Sequence, residues 1–248
     1  MVVQAEEGQG RLTGTGRAPR VLVATAVPAE RDAVASGLSA AAGPADGGVV
    51  SVGRVDVLAV GVGPAAAAAG TAGLLAGAAA RGVPYGLVVS AGIGGGFVPD
   101  APVGSLVLAD AITAADLGAE TPDGFVPVTE LGFGRVTYEP PDALVRQLAA
   151  VSGAATGTVL TVSTVTGSAE RAAELRSRHP RALVEAMEGF GVAEAAAAHG
   201  LPVCEVRAVS NPVGPRDRAA WRIGDALAAL TGAFGKFTPV LESWNRHD

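Results

Sequence analysis

The chain has 248 residues, enough for one large α/β domain with a sizeable buried core. It carries a net charge of −6 and a pI near 5.1, and its single lysine, Lys236, stands in no basic cluster. This charge pattern excludes a protein that binds the nucleic-acid backbone through a basic surface. A single cysteine, Cys204, excludes an intramolecular disulfide, and we expect it to be a small buried side chain.

Residues 57–80 carry no charge, but they do not predict a membrane span. Pro64 and several glycines interrupt the stretch, which changes from a Val/Leu strand pattern to an Ala-rich helix. The first residues do not form the basic-then-apolar pattern of a signal peptide, and residues 1–19 are polar and glycine-rich. We therefore expect a disordered extension over residues 1–19 and one folded domain over residues 20–248, in a cytoplasmic protein.

Short Val/Leu runs alternate with Ala-rich stretches along this domain. The runs predict strands at 20–25, 49–52, 55–60, 86–90, 104–109, 157–163, 181–185 and 202–209. The Ala-rich stretches predict helices at 29–41, 64–81, 143–152, 169–178, 189–199 and 225–243. Apolar strands that alternate with helices indicate an α/β fold with a central mixed, mainly parallel sheet flanked by helices. In such a sheet ligands bind beyond the carboxyl ends of the strands, so functional residues are expected just after strands.

A glycine-rich segment, residues 90–97 (SAGIGGGF), directly follows the predicted strand 86–90. Glycine lets backbone N–H groups approach a ligand, because no Cβ stands in the way. A dinucleotide-binding loop opens a helix, whereas Pro99, Pro102 and another strand follow here, and the chain contains no Gly-Lys-Ser/Thr phosphate loop. The segment therefore predicts either a wall that approaches a small molecule closely or a tight turn.

Polar residues follow three of the predicted strands: Glu30, Glu188, and the pair Ser210 and Asn211. Glu30 and Glu188 lie where helices begin, so each is either a charge in the first turn of a helix or a functional carboxylate. A carboxylate at position 188 can accept hydrogen bonds from both hydroxyls of a ribose. Ser210 and Asn211 either cap a turn or read the edge of a purine, since an amide has both a donor and an acceptor.

In this order and spacing, these features resemble the nucleoside phosphorylase/nucleosidase superfamily over roughly residues 20–245. The most similar branch contains the 5′-methylthioadenosine/S-adenosylhomocysteine nucleosidases, and within it the chain most resembles the futalosine hydrolase family of menaquinone biosynthesis. The resemblance implies a nucleoside phosphorylase-like catalytic domain, a purine nucleoside and water as substrates, and a homodimer or higher homo-oligomer. We expect no nucleic acid, membrane or cofactor as a partner, and the three histidines are too scattered for a metal site.

The resemblance also implies roles for individual residues. Glu30 corresponds to the general base that activates water, and Glu188 to the carboxylate that holds the ribose diol. Asn211 stands where the methylthioadenosine enzymes have an aspartate that acts on the purine. Further substrate-binding positions are implied for Ile93, Gly94, Gly95, Val165, Met187, Arg207, Ser210 and Trp221.

The amide at position 211 favours one class of base. A 6-oxopurine offers acceptors at both O6 and N7, to which an amide N–H can donate, whereas an ionised aspartate would repel them. Asn211 therefore favours a 6-oxopurine over adenine. This choice fits futalosine, which would yield hypoxanthine and dehypoxanthine futalosine, but it fits inosine and guanosine as well.

Three alternatives stay open on the sequence alone. A methylthioadenosine/S-adenosylhomocysteine nucleosidase would act on an adenine nucleoside. A purine nucleoside phosphorylase would need cationic groups for phosphate beside the sugar, for which Arg31 and Arg54 are candidates. A catalytically silent nucleoside-binding protein would need Glu188 and Asn211 but would have no need of Glu30.

Overall fold

The computed structural model describes residues 19–39 and 48–244. Within these ranges the chain forms eleven strands: β1 (Arg20–Thr25), β2 (Val50–Val52), β3 (Val55–Ala59), β4 (Tyr85–Gly96), β5 (Leu106–Ala114), β6 (Gly118–Thr121), β7 (Gly124–Pro127), β8 (Thr137–Tyr138), β9 (Ala155–Thr161), β10 (Ala182–Ala186) and β11 (Val203–Pro212). Six α-helices accompany them: α1 (Pro28–Leu38), α2 (Pro64–Ala80), α3 (Asp142–Ser152), α4 (Ala169–Arg178), α5 (Gly189–Ala198) and α6 (Ile223–Ser243). The extension expected over residues 1–19 lies, except for Pro19, outside the described residues.

One sheet of nine strands forms the centre of the fold, in the order β10-β9-β5-β11-β4-β1-β3-β2 with β8 paired to β5. The central pairs are parallel, namely β1–β3, β1–β4, β4–β11, β5–β9 and β9–β10. The pairs β2–β3, β5–β8, β5–β11 and β4–β10 are antiparallel. The mixed, mainly parallel sheet expected from the sequence is confirmed.

The sheet closes on itself, because β10 pairs with β4 as well as with β9. Val184 lies opposite Gly96, and Glu185 lies opposite Gly95. A Cβ on Gly94 would stand 2.6 Å from Val184 Cγ1, and one on Gly96 would stand 2.0 Å from Ala101 O. Only glycine allows such close approach, so the glycine run lets β4 reach β10.

The tight turn that the sequence left open at residues 90–97 is therefore not formed. These residues continue β4 as far as Gly96, because their backbone groups form hydrogen bonds with β11 on one side and with β10 on the other. The pairing is tertiary, and a glycine-rich composition gives no local sign of it. The short strands β6, β7 and β8, of four, four and two residues, were not predicted either.

Helices cover both faces of the sheet, and β1 shows how. Val21 and Val23 pack on one side in the layer that contains α1, α3 and α6, whereas Leu22 and Ala24 pack on the other side with α2 and α5. A strand buried on both faces has the continuous apolar sequence by which it was predicted. Cys204 is buried in the first of these layers.

The Ala-rich helix α2 packs against α5 at a glycine contact. A Cβ on Gly191 of α5 would stand 2.1 Å from Pro64 O at the start of α2. Gly73, also in α2, is exposed and would have nothing within 4 Å of its Cβ. No helix in the described ranges is long and apolar enough to cross a membrane.

Two glycine substitutions in helices should therefore act in opposite directions. Gly191→Ala should lower the free energy of unfolding by about 1–3 kcal/mol, because α2 and α5 must move apart. Gly73→Ala should raise it by about 0.5–1 kcal/mol, because alanine favours the helical backbone. Chemical denaturation measures both. Equal effects of the two substitutions would contradict the close contact at Gly191.

Candidate active site

A cavity of about 590 Å³ opens where β1, β4, β10 and β11 end. This volume lies within the range of small-molecule sites in proteins. The cavity brings together most of the site residues named from the sequence: Glu30, Ile93, Gly94, Gly95, Val165, Met187, Glu188, Ser210, Asn211 and Trp221. Arg207 is the exception, since it does not line the cavity.

Glu30 lies in the first turn of α1 and is 4% exposed. Its Oε2 accepts hydrogen bonds from Ala26 N at 2.9 Å and Val27 N at 3.3 Å, and its Oε1 accepts one from Ile93 N at 2.9 Å. The side chain therefore accepts hydrogen bonds from the backbone N–H groups just before its own helix, and it also lines the cavity. The two interpretations that the sequence left open for Glu30 are compatible.

Glu188 directly precedes α5 and is 6% exposed. Its Oε1 accepts a hydrogen bond from Gly63 N at 3.2 Å, and its Oε2 accepts one from Arg207 Nη1 at 3.2 Å. A carboxylate has about four lone-pair sites, two on each oxygen. One site on each oxygen of Glu188 is therefore left for donors in the cavity.

Arg207 lies behind the cavity wall and is 1% exposed, so it is placed to support the wall rather than to line the cavity. Its Nε donates to Glu205 Oε1 at 2.8 Å, its Nη2 donates to Ser90 Oγ at 3.2 Å, and its Nη1 donates to Ile93 O at 3.3 Å in addition to Glu188. Its long side chain extends from β11 to β4, and these hydrogen bonds support the cavity wall from the side away from the cavity.

Buried charge surrounds this guanidinium. Burial by itself would lower the pKa of Arg207, but the carboxylates of Glu205, Glu188 and Glu30 raise it above its ordinary value. Burial raises the pKa of Glu205, against the opposing charge and hydrogen bond of Arg207.

A Cβ on Gly92 would stand 2.7 Å from both Arg207 Nη1 and Glu30 Oε1, so no side chain fits between these groups.

A bulge in β11 places two neighbouring side chains on the cavity. Val209 pairs with Gly94 and Asn211 pairs with Gly95, so Ser210 is an extra residue in β11. Neighbours in a regular strand point to opposite faces of the sheet. Because of the bulge, Ser210 and Asn211 both line the cavity.

The amide of Asn211 is oriented by its own surroundings. Its Nδ2 donates to Pro212 O at 3.0 Å, and its Oδ1 lies 2.8 Å from Ser210 Oγ, which also lies 3.2 Å from Gly94 O. The reverse orientation would bring Oδ1 against the carbonyl of Pro212, which would be repulsive. One N–H of the amide is therefore left to donate to a ligand.

Several residues of the site were not recognised in the sequence. Glu185 is buried on the cavity wall and accepts a hydrogen bond from Thr166 N at 2.8 Å, beside Val165. Burial raises the pKa of Glu185, and the hydrogen bonds from Thr166 oppose this. Glu185 and Glu205 both interrupt apolar strands, and a carboxylate in such a run is a signal that was available.

The outer wall of the cavity follows β11 and contains two arginines. The guanidinium carbons of Arg216 and Arg218 lie 5.8 Å and 5.7 Å from the ring centre of Trp221. Asp217, between them, accepts a hydrogen bond from Ala219 N and so caps the short helix Arg218–Ala220. Exposed arginines in a loop have no sequence signal of their own, so these residues were also missed.

Known proteins similar to this chain share its family. A protein-family model described as the phosphorylase superfamily matches residues 19–237. A futalosine hydrolase from Streptomyces coelicolor is 68% identical over 232 residues, which cover 92% of this chain and 99% of that protein. A futalosine hydrolase from Acidothermus cellulolyticus is 46% identical over 220 residues, which cover 86% of this chain and 88% of that protein.

Solved structures of 5′-methylthioadenosine/S-adenosylhomocysteine nucleosidases have the same fold. The enzyme from Colwellia psychrerythraea, in complex with adenine, has a TM-score of 0.69 and 22% identity, covering 91% of this chain and 94% of its own. The enzyme from Neisseria meningitidis, in complex with methylthio-immucillin-A, has a TM-score of 0.71 and 19% identity, covering 91% and 99%. The nucleoside phosphorylase-like fold is thereby confirmed. The chain belongs to the phosphorylase superfamily and, within it, to the futalosine hydrolase family.

Proposed function

We propose that this protein hydrolyses the N-glycosidic bond of futalosine and releases hypoxanthine and dehypoxanthine futalosine. The observation that carries the proposal is the presence of Glu30, Glu188 and Asn211 on one cavity, in a chain 68% identical to a futalosine hydrolase. The proposal includes a place in menaquinone biosynthesis, a cytoplasmic location and assembly into a homodimer or larger homo-oligomer. These further parts follow from the family resemblance.

Glu30 is the proposed general base. Three backbone N–H groups, from Ala26, Val27 and Ile93, hold its two oxygens in place and leave one lone pair on Oε1. That lone pair would accept a proton from the water that attacks C1′ of the sugar. A base fixed in this way needs no reorganisation when the substrate binds.

Glu188 is the proposed anchor of the ribose. Cleavage passes through a sugar with oxocarbenium character, so the ring must be held while the base departs. The two acceptor sites left on Glu188 match the two hydroxyls, O2′ and O3′, of a ribose. Met187, which precedes Glu188 on the cavity wall, would pack beneath the sugar.

Asn211 is the proposed recognition group for the base. Its remaining amide N–H would donate to N7 or O6 as negative charge develops on the departing purine. An amide is not an acid, so the proton that finally reaches the purine would come from solvent. Trp221 and the strand Ile93–Gly95 would line the base and the sugar.

Phosphorolysis is less well supported by the positions of the candidate cations. Arg31 is paired with Asp32, and Arg54 contacts the carbonyl of Pro19. Neither arginine lines the cavity, and the two described arginines that do, Arg216 and Arg218, lie against Trp221, on the proposed base side. Water is therefore the better candidate for the nucleophile beside Glu30.

A comparison of substrates in the absence of phosphate tests the function directly. Futalosine, inosine and 5′-methylthioadenosine are each incubated with the protein, and free base is followed by chromatography. We expect hypoxanthine from futalosine at the highest kcat/KM and no requirement for phosphate. Dependence on phosphate would indicate a phosphorylase, preferred release of adenine would indicate the methylthioadenosine activity, and tight binding without turnover would indicate a nucleoside-binding protein.

Removal of either cavity carboxylate should reduce turnover without unfolding the protein. Glu30→Gln should lower kcat by about 10²–10⁴-fold, the usual contribution of a general base. Glu188→Gln should lower kcat/KM by about 10–100-fold, as expected for the loss of hydrogen bonds to a charged group. Glu170→Gln is the matched control, because Glu170 also lies in the first turn of a helix but not on the cavity. Near-native turnover of either cavity variant, with melting temperatures unchanged, would remove that residue from the mechanism.

Asn211→Asp should change the base preference. An aspartate can be protonated and then both donate to N7 and accept from a 6-amino group, so it suits adenine better than hypoxanthine. We expect the ratio of kcat/KM for futalosine to that for its 6-amino analogue to fall at least about tenfold, the effect of roughly one hydrogen bond. An unchanged ratio would show that Asn211 does not read the base.

A further inference from the structure

Glu205 is a buried carboxylate that the proposed chemistry does not use. It lies in β11, is fully buried, and accepts one hydrogen bond, from Arg207 Nε at 2.8 Å. Among the described residues no donor reaches its second oxygen, Oε2. A buried carboxylate oxygen without a partner is costly, so its presence in the interior of a strand calls for a physical reason.

The backbone beside the cavity makes room for this carboxylate. A Cβ on Gly189 would stand 2.1 Å from Glu205 Oε2 and 2.3 Å from Glu205 Oε1. Gly189 is the first residue of α5 and directly follows Glu188. The buried carboxylate and the proposed ribose anchor therefore meet at the same helix start.

Arg207 connects the two carboxylates. Its Nε edge faces Glu205, whereas its Nη1 makes a single, long hydrogen bond of 3.2 Å to Glu188 Oε2. A guanidinium tends to form two parallel hydrogen bonds with one carboxylate when no other partner restrains it. Without Glu205, the only other partners in the described part of the chain that restrain Arg207 are Ser90 Oγ and Ile93 O, through hydrogen bonds of 3.2 Å and 3.3 Å. The guanidinium would then be freer to turn toward Glu188 and to occupy both of its oxygens.

We propose that Glu205 is a positioning residue, which holds Arg207 so that Glu188 keeps one acceptor site on each oxygen for the ribose diol. The proposal rests on the function proposed for Glu188. Glu205 offsets the charge of Arg207 from the side away from the cavity, and it fixes the guanidinium edge that points to Glu188. Glu205 itself touches no substrate.

A comparison of two substrates isolates this effect. Glu205→Gln keeps the size of the side chain and removes its charge. Futalosine and its 2′,3′-dideoxy analogue, which lacks both hydroxyls, are hydrolysed by the wild-type protein and by the variant. We expect the ratio of kcat/KM for futalosine to that for the analogue to fall about tenfold in Glu205→Gln, the effect of weakening one charged hydrogen bond. The dideoxy bond has a greater intrinsic lability, but this affects the ratio equally in the wild-type protein and in the variant. It therefore cancels when the two ratios are compared.

An unchanged ratio would overturn the proposal. If kcat/KM falls equally for both substrates, Glu205 supports the fold in general, and if neither value changes, its charge does not act on Glu188. Glu170→Gln serves as the control that should leave the ratio unchanged. If the wild-type protein hydrolyses neither substrate, the proposed function fails instead. The dissociation constants of futalosine and of the analogue are then measured by calorimetry. We again expect the preference for futalosine over the analogue to fall about tenfold in Glu205→Gln. Failure of the wild-type protein to bind futalosine would overturn both proposals.

A second pair of variants separates packing from charge. Gly189→Ala alone should lower the melting temperature, because its methyl group collides with the carboxylate of Glu205. Combined with Glu205→Val, Gly189→Ala should cause no further fall below the melting temperature of Glu205→Val alone, since the shorter side chain leaves space for that methyl group. The double variant should nevertheless keep the low ratio of Glu205→Gln. A double variant with the wild-type ratio would contradict the positioning role.

Discussion

The pairing of β4 with β10 determines the arrangement of the cavity. β4 runs between β1 and β11 for most of its length and then meets β10 at Gly95 and Gly96. This closure brings the end of β10, where Glu188 directly precedes α5, to the cavity that Glu30 lines at the end of β1. Two carboxylates far apart in the sequence therefore share one cavity, because three consecutive glycines let one strand pair with two different neighbours in turn.

The polar groups of the cavity are already held by the protein before a ligand enters. Backbone N–H groups fix Glu30, Gly63 and Arg207 fix Glu188, and Ser210 with the Pro212 carbonyl orients Asn211. Such preorganisation places most of the energetic cost in folding rather than in binding. It also explains why so many carboxylates are buried around the single guanidinium of Arg207.

The helices and the central strands were predictable because their signals are local. Pro64 opens α2, and continuous apolar runs mark strands buried on both faces. The end of β4 was not predictable, because glycine disfavours a strand and only its pairing with β10 and β11 stabilises it. The resemblance named Glu30, Glu188 and Asn211, but no local pattern shows that Arg207 lies behind the cavity rather than on it.

The bulge at Ser210 divides β11 into two parts with independent roles. Below the bulge, Glu205 and Arg207 follow the regular register of the sheet and support the wall of the cavity near Glu188, the proposed sugar side. Beyond it, Asn211 is in a shifted register and lines the proposed base side. A change at position 211 therefore leaves the ion pairs below it undisturbed. In evolutionary terms, the proposed roles mean that a fold of this kind could acquire a new base preference by a single substitution while it retains its hold on the sugar.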